Sequence, residues 1–261
     1  MGLRSFCSIA AVVAASAVAQ TPTSAPLPSQ AESVEGVILP VPKEIFRSLD
    51  KFRDANWRAV ERPEIAKWKS HGDQAQIAVL LGVVIGEGFI AMEAEDAIEV
   101  KQLGTSVLKL ARALGVEESA LRRSKSIMEF ATRGDWTAAR QEWDGVLSDL
   151  EAGMVRLKSV QLAQLVSLGG WLRGTEALSA LVLQNYSSEG AELFRQPVLA
   201  ESLEKEILGM SGNSLLSDLR NGLDKIRGLI ADNNQPLTDQ TVRQIHDVCS
   251  KLVQLAARGR S

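Results

Sequence analysis

Three residues carry the chemistry of an active site at positions where charge is unexpected. Glu87, Arg173 and Glu176 each lie within a long apolar stretch. Projected as a helix at about 100° per residue, Glu87 falls among Leu80, Val84 and Ala91, and Glu176 beside Leu165, Leu172, Ser179 and Leu183. A carboxylate in such surroundings needs a cationic partner or a raised pKa. Arg173 stands three residues before Glu176, one helical turn away, and reaches Glu87 if the two segments are neighbours. Two chemistries are open. One is a buried ion pair that serves the fold. The other is a polar spot in a ligand pocket, or an acid–base pair of a hydrolase. Glycosidic chemistry would require two carboxyls roughly 5–10 Å apart in an open cleft.

Other constellations are thin. His71 and His246 are the only histidines, which removes most metal sites and catalytic triads, and no metal or other cofactor is implied. His71 sits beside Gly72 at an expected helix end, where a cation suits the dipole. His246 and Cys249 are three apart and could form a thiolate–imidazole pair. Cys249 also continues the Val242, Ile245, Leu252, Ala256 stripe, and packing as a small hydrophobe is the simpler reading. Glu93, Glu95, Asp96 and Glu99 form an acidic cluster without the Glu-x-x-His of di-iron bundles or a calcium-loop glycine, and read as solvated helix surface. Phosphate-binding glycine loops, a nucleophile elbow and a Cys-x-x-Cys pair are absent from the sequence. Trp136 and Trp143, seven apart and continued by Val146, Leu147 and Leu150, read as core packing; Trp171 and Tyr186 could line a pocket.

The elements that position these residues are helices. From Lys43 onward apolar residues recur at three- and four-residue steps, strand-type alternation is missing, and only Pro63, Pro197 and Pro236 interrupt. Gly72-Asp73, Gly115 and Gly134-Asp135 punctuate, glycine as a left-handed stop and Asp as a cap. Further breaks fall near Ser159, Tyr186–Ser188, Gln196-Pro197, Gly209–Asn213 and Asp232–Thr238. These connections are short, which predicts an all-α bundle of about eight to ten antiparallel helices. One domain spanning 43–257 is expected, with two smaller bundles meeting near Ser159 as the alternative.

Two helices stand out. Ala75–Ala94 is apolar on nearly every side, yet its uninterrupted core, Ile77–Gly86, is too short to span a bilayer and predicts a buried helix. It carries Gly82 and Gly86; the segment around Trp171 carries Gly170 and Gly174, 88 residues later. Interior glycines cost helix propensity, about 1 kcal/mol each, and close backbone approach would compensate. A duplicated helical half could also explain the two pairs, but their flanking sequences are poorly alike.

The N-terminus sets the expected address. Arg4, the apolar run Phe6–Ala15 and Ala17-Val18-Ala19 are the three parts of a secretory signal peptide over 1–19, with Gln20 the expected mature start. Residues 20–42 hold Pro22, Pro26, Pro28, Pro40 and Pro42 among small polar residues and read as a flexible linker. A periplasmic or secreted protein follows, with no membrane span after cleavage. Losing Arg4 would take the net charge from −3 to −4, which argues against a nucleic acid partner. Cys7 would leave too, so no internal disulfide is possible and a core built from 45% hydrophobic residues must carry stability. The expected role is a non-enzymatic binding or interaction module for a protein or small-molecule ligand; the alternative is a hydrolase or other acid–base enzyme using Glu87 and Glu176 with Arg173.

Overall fold

A computed structural model of the chain describes residues 31–34, 37–40, 52, 54–69, 72–210, 212, 214–232 and 234–258. Nine α-helices follow one another among them: α1 (Gln74–Glu93), α2 (Ala97–Ala113), α3 (Glu117–Arg133), α4 (Trp136–Arg156), α5 (Val160–Gln184), α6 (Ser188–Glu192), α7 (Pro197–Leu208), α8 (Ser214–Ile230) and α9 (Asp239–Ala257). The all-α multi-helix bundle is thus observed. Two short 3-10 segments, Trp57–Val60 and Pro63–Lys67, precede it. Within the stretch expected as a linker, β1 (Ala31–Val34) and β2 (Val37–Pro40) pair as an antiparallel hairpin, from Ala31 opposite Pro40 to Val34 opposite Val37. Val34, Val37 and Ile38 favour the extended backbone, and two residues between strands is the shortest common hairpin connection. The rest of that stretch, the 1–19 segment with its cleavage point, and His71 lie outside the described residues.

Helix ends follow the punctuation. Asp73 caps α1 by accepting from the Gln76 amide at 3.0 Å, and Asp135 caps α4 by accepting from Ala138 at 3.2 Å. Gly115 and Gly134 hold φ of 78° and 73°, the left-handed region that stops α2 and α3. Gln76 does more than close its own helix: its Nε2 donates to the Ala256 carbonyl at 3.2 Å and ties α1 to the end of α9. Arg140 of α4 covers the other end of α1, donating to the Met92 carbonyl at 3.3 Å and pairing with Glu93 at 2.6 Å.

The centre is the α1/α5 pair, with α2, α3 and α4 forming one wing and α9, α8 and α7 the other. One continuous hydrophobic cluster runs from Trp57 to Ala256. α1 is long and apolar enough to cross a membrane by length and composition, and it lies buried inside the fold. Four successive reversals bring α5 back to the direction of α1. Gly82 accordingly meets Val166 and Gly170, and Gly86 meets Gly170 and Arg173 further along. A Cβ at Gly82 would overlap the Val166 carbonyl oxygen, and one at Gly169 the Val79 carbonyl oxygen. The expected glycine-lined contact is therefore real: Gly82, Gly86 and Gly170 meet there, and Gly169 joins them. Gly88 makes room for the Trp143 ring, whose Nε1 donates to the Ile85 carbonyl at 3.0 Å.

Candidate functional site

The parallel α1/α5 pair brings Glu87, Arg173 and Glu176 together at one level of the core. Glu87 is 0% exposed, Arg173 1% and Glu176 3%. Arg173 Nε donates to Glu87 Oε2 at 2.6 Å, its Nη2 donates to the Val60 carbonyl at 2.5 Å, and its Nη1 lies 3.4 Å from Glu176 Oε2. Both routes open to Arg173 are thus used at once: the same-helix acid and the acid on the neighbouring helix.

Two carboxylates and one guanidinium leave a negative charge over, and the 3-10 segments supply what is missing. The Arg62 amide donates to Glu87 Oε1 at 2.5 Å, and its Nη1 donates to Glu176 Oε1 at 2.7 Å. Its guanidinium stacks 5.3 Å from the Trp68 ring centroid and also binds Glu64 at 2.9 Å. Trp57, Val60 and Ile65 bury themselves against the bundle and anchor this cap. Arg58 adds a 3.0 Å bond to Asp96, and Ser106 donates to the Ala66 carbonyl. Glu87, Glu176, Arg173 and Arg62 therefore balance to zero in the core, and Arg62, with 20% of its side chain exposed, leads out to the half-exposed Glu64. Arg62 escaped the sequence reading because its segment is neither apolar nor periodic. Charge counting could have found it, since two buried carboxylates against one arginine demand a second cation.

Other groups singled out in the sequence lie around this network. His246 Nδ1 lies 3.1 Å from Ser179 Oγ and 3.1 Å from the Glu176 carbonyl, while Ser179 Oγ donates to that carbonyl at 2.8 Å. Cys249 is fully buried, and burial pushes its thiol well above the ordinary range, which disfavours a thiolate. The acidic cluster is only in part the solvated face its composition suggests, with Glu95 exposed and the other three engaged or buried. Asp96 caps α2 through the Ile98 and Glu99 amides, Glu93 pairs with Arg140, and Glu99 is 5% exposed. Tyr186 donates to the Leu237 carbonyl at 2.6 Å and acts as a strut, and Trp171 lines a crevice of only about 10 Å³. No group of three or more metal-ligating side chains occurs among the described residues.

Three carboxyls carry raised pKa values. Burial pushes Glu99 up to about 7, helped by Glu87, Asp96 and Glu64 and opposed by Lys67. Burial likewise pushes Glu61 up to about 7, with Asp96, Glu87 and Glu99 adding and Arg58 opposing. Glu206 reaches about 7 through burial alone. In each case the folded state holds its proton more tightly than the unfolded chain. The resulting stability is fully present below the ordinary carboxyl value and is lost as pH rises through about 7. The melting temperature is therefore expected to fall by several degrees between about pH 5.5 and about pH 8. Differential scanning calorimetry checks this, and Glu99→Gln should flatten the slope; a melting temperature that rises over that interval would contradict the assignment.

Three open clefts among the described residues lie elsewhere, and none touches Glu87, Arg173 or Glu176; one, of about 330 Å³, lies between the start of α1 and α8 and is lined by Asp73, Gln76, Asp218 and Arg258. A cleft of about 340 Å³ runs between α2, α3 and α4, floored by Val107, Ile127, Trp143 and Val146, with Lys101 and Lys125 at its mouth. A wider one, about 620 Å³, lies between the cap and α2 and gathers Lys67, Trp68, Lys69 and Lys109. No family model, curated protein or solved structure matches this chain.

Proposed function

We propose that the chain is an exported, non-enzymatic binding module whose ligand sits on the helical wings and whose buried charges serve the fold. One observation carries this reading: Glu87, Arg173 and Glu176 are closed over by the cap and paired with Arg62, whereas no carboxylate lines the cleft between α2, α3 and α4 or the one beside the cap. A substrate could reach Glu176 only by displacing Arg62 and the segment that carries it. Export rests on the 1–19 segment, whose composition has every part of a signal peptide.

Both halves are testable. Material recovered from the periplasm or medium is expected to begin at Gln20 by intact-mass analysis, and retention of Met1 there would refute cleavage. Native mass spectrometry of that material is expected to show a ligand or partner that is released chemically unchanged, with Glu176→Gln binding it as the parent chain does. Conversion of the bound molecule to product, lost in Glu176→Gln, would overturn the reading in favour of an acid–base enzyme.

A further inference from the structure

We propose that the cleft between α2, α3 and α4 binds a single-chain anionic amphiphile, a long-chain carboxylate, with its tail on the apolar floor and its head between Lys101 and Lys125. The assignment rests on the binding-module reading and names its ligand class.

Size, polarity and charge each narrow the occupant. The floor is apolar, and no acidic side chain lines the cleft. Lys101 makes no ion pair among the described residues, and Lys125 has only Glu129 at 3.8 Å, an exposed pair that exchanges at little cost. Two cations above an apolar slot match an amphiphile with one negative end. The slot offers about 340 Å³. An alkyl chain threads such a space readily. Ile98, 74% exposed, and Leu121, 47% exposed, stand one turn before Lys101 and Lys125 on their own helices and extend the apolar surface past the mouth.

Gly104 lines the slot without a side chain. Interior helix glycines weaken a helix relative to alanine. At Gly82 and Gly169 the structure gives the reason, because another backbone occupies the space. At Gly104, mid-α2 and lining the cleft, an added Cβ would meet nothing within 4 Å. Its missing side chain keeps the slot open.

The test titrates the full mature chain calorimetrically with sodium dodecanoate below its micelle threshold, beside dodecanol and dodecyltrimethylammonium. Saturable one-to-one binding of dodecanoate is expected, tighter than the cation by at least about tenfold. Gly104→Leu should abolish binding while leaving the melting temperature unchanged or higher, so loss of fold cannot mimic the result. Lys101→Glu with Lys125→Glu should reverse the preference toward the cation. No saturable binding, binding undiminished in Gly104→Leu, or loss of binding in Lys67→Glu with Lys69→Glu would each overturn the assignment. A concentration-dependent dimer abolished by Gly104→Leu would overturn it too, giving the cleft to a second copy. If dodecanoate fails but a peptide or other small molecule binds in a Gly104→Leu-sensitive manner, the ligand class falls and the binding-module reading stands. Turnover lost in Glu176→Gln strikes that reading instead.

Discussion

Arg173→Met is expected to lower the melting temperature by roughly 6–20 °C, the range for stranding a buried charge at about 3–5 kcal/mol in a domain of this size. The methionine fills comparable space, so the loss comes from charge and not from a cavity. Glu87 would then keep the Arg62 amide as partner but lose its counter-ion, and the Val60 carbonyl would lose its donor. Glu176 would retain Arg62 at 2.7 Å. Adding Glu87→Gln to Arg173→Met should recover a substantial part of the loss, because it removes the stranded charge while keeping an acceptor for Arg62. Thermal melts of the two variants beside the parent decide the matter. An Arg173→Met protein that melts with the parent would mean that the carboxylates are stabilised by something other than this guanidinium.

The second large effect is expected at Gly82. Alanine there should gain about 1 kcal/mol in helix propensity, yet Gly82→Ala is expected to destabilise. The new Cβ meets the Val166 carbonyl oxygen and the Gly170 amide, which are backbone and cannot rotate away. The α1 and α5 axes must separate, and everything packed on them loosens. Overpacking of this kind typically costs about 1–3 kcal/mol, and a backbone clash at the central crossing belongs at or beyond the upper end. Gly82→Val should prevent folding. Gly104→Ala makes the control, since the same propensity gain meets open space and should raise stability by up to about 1 kcal/mol. Urea unfolding of the three variants separates these outcomes, and equal midpoints for Gly82→Ala and Gly104→Ala would remove the close crossing from the explanation of the fold.

Much of this architecture was legible because it is written in local pattern. The α2 stripe of Val100, Leu103, Val107, Leu110 and Leu114 is buried as its spacing requires. Asp73, Asp135, Gly115 and Gly134 sit where short-range hydrogen bonding and backbone sterics place caps and stops. The meeting of Glu87 with Arg173 was visible as an alternative because both sit on apolar helices that had to be central. Arg62 was not. Its contacts to Glu87 and Glu176 span 25 and 114 residues, and its own segment lacks any period from which burial could be read. The part played by Gly169 was hidden for a related reason: which side of a helix faces its neighbour depends on crossing geometry, and the adjacent Gly169 and Gly170 look alike along the chain. The buried Glu99 was misread because its acidic neighbours suggested solvent, whereas the cap segment covers it.

The reach of Arg62 also bears on when the molecule becomes a molecule. Its partners in the core lie as far along as Glu176, so the charge balance at the centre cannot close until about two thirds of the polypeptide has been synthesised. Before that moment a growing chain holds Glu87 with neither guanidinium bond of Arg173 nor a settled cap, and α1 has no α5 to cover its apolar surface. Native contacts with such long separations slow folding. On the proposed export route, where the chain would thread a translocon unfolded, a core whose final ion pairs arrive late would act as a timer, leaving the nascent chain open during passage and closing it on the far side.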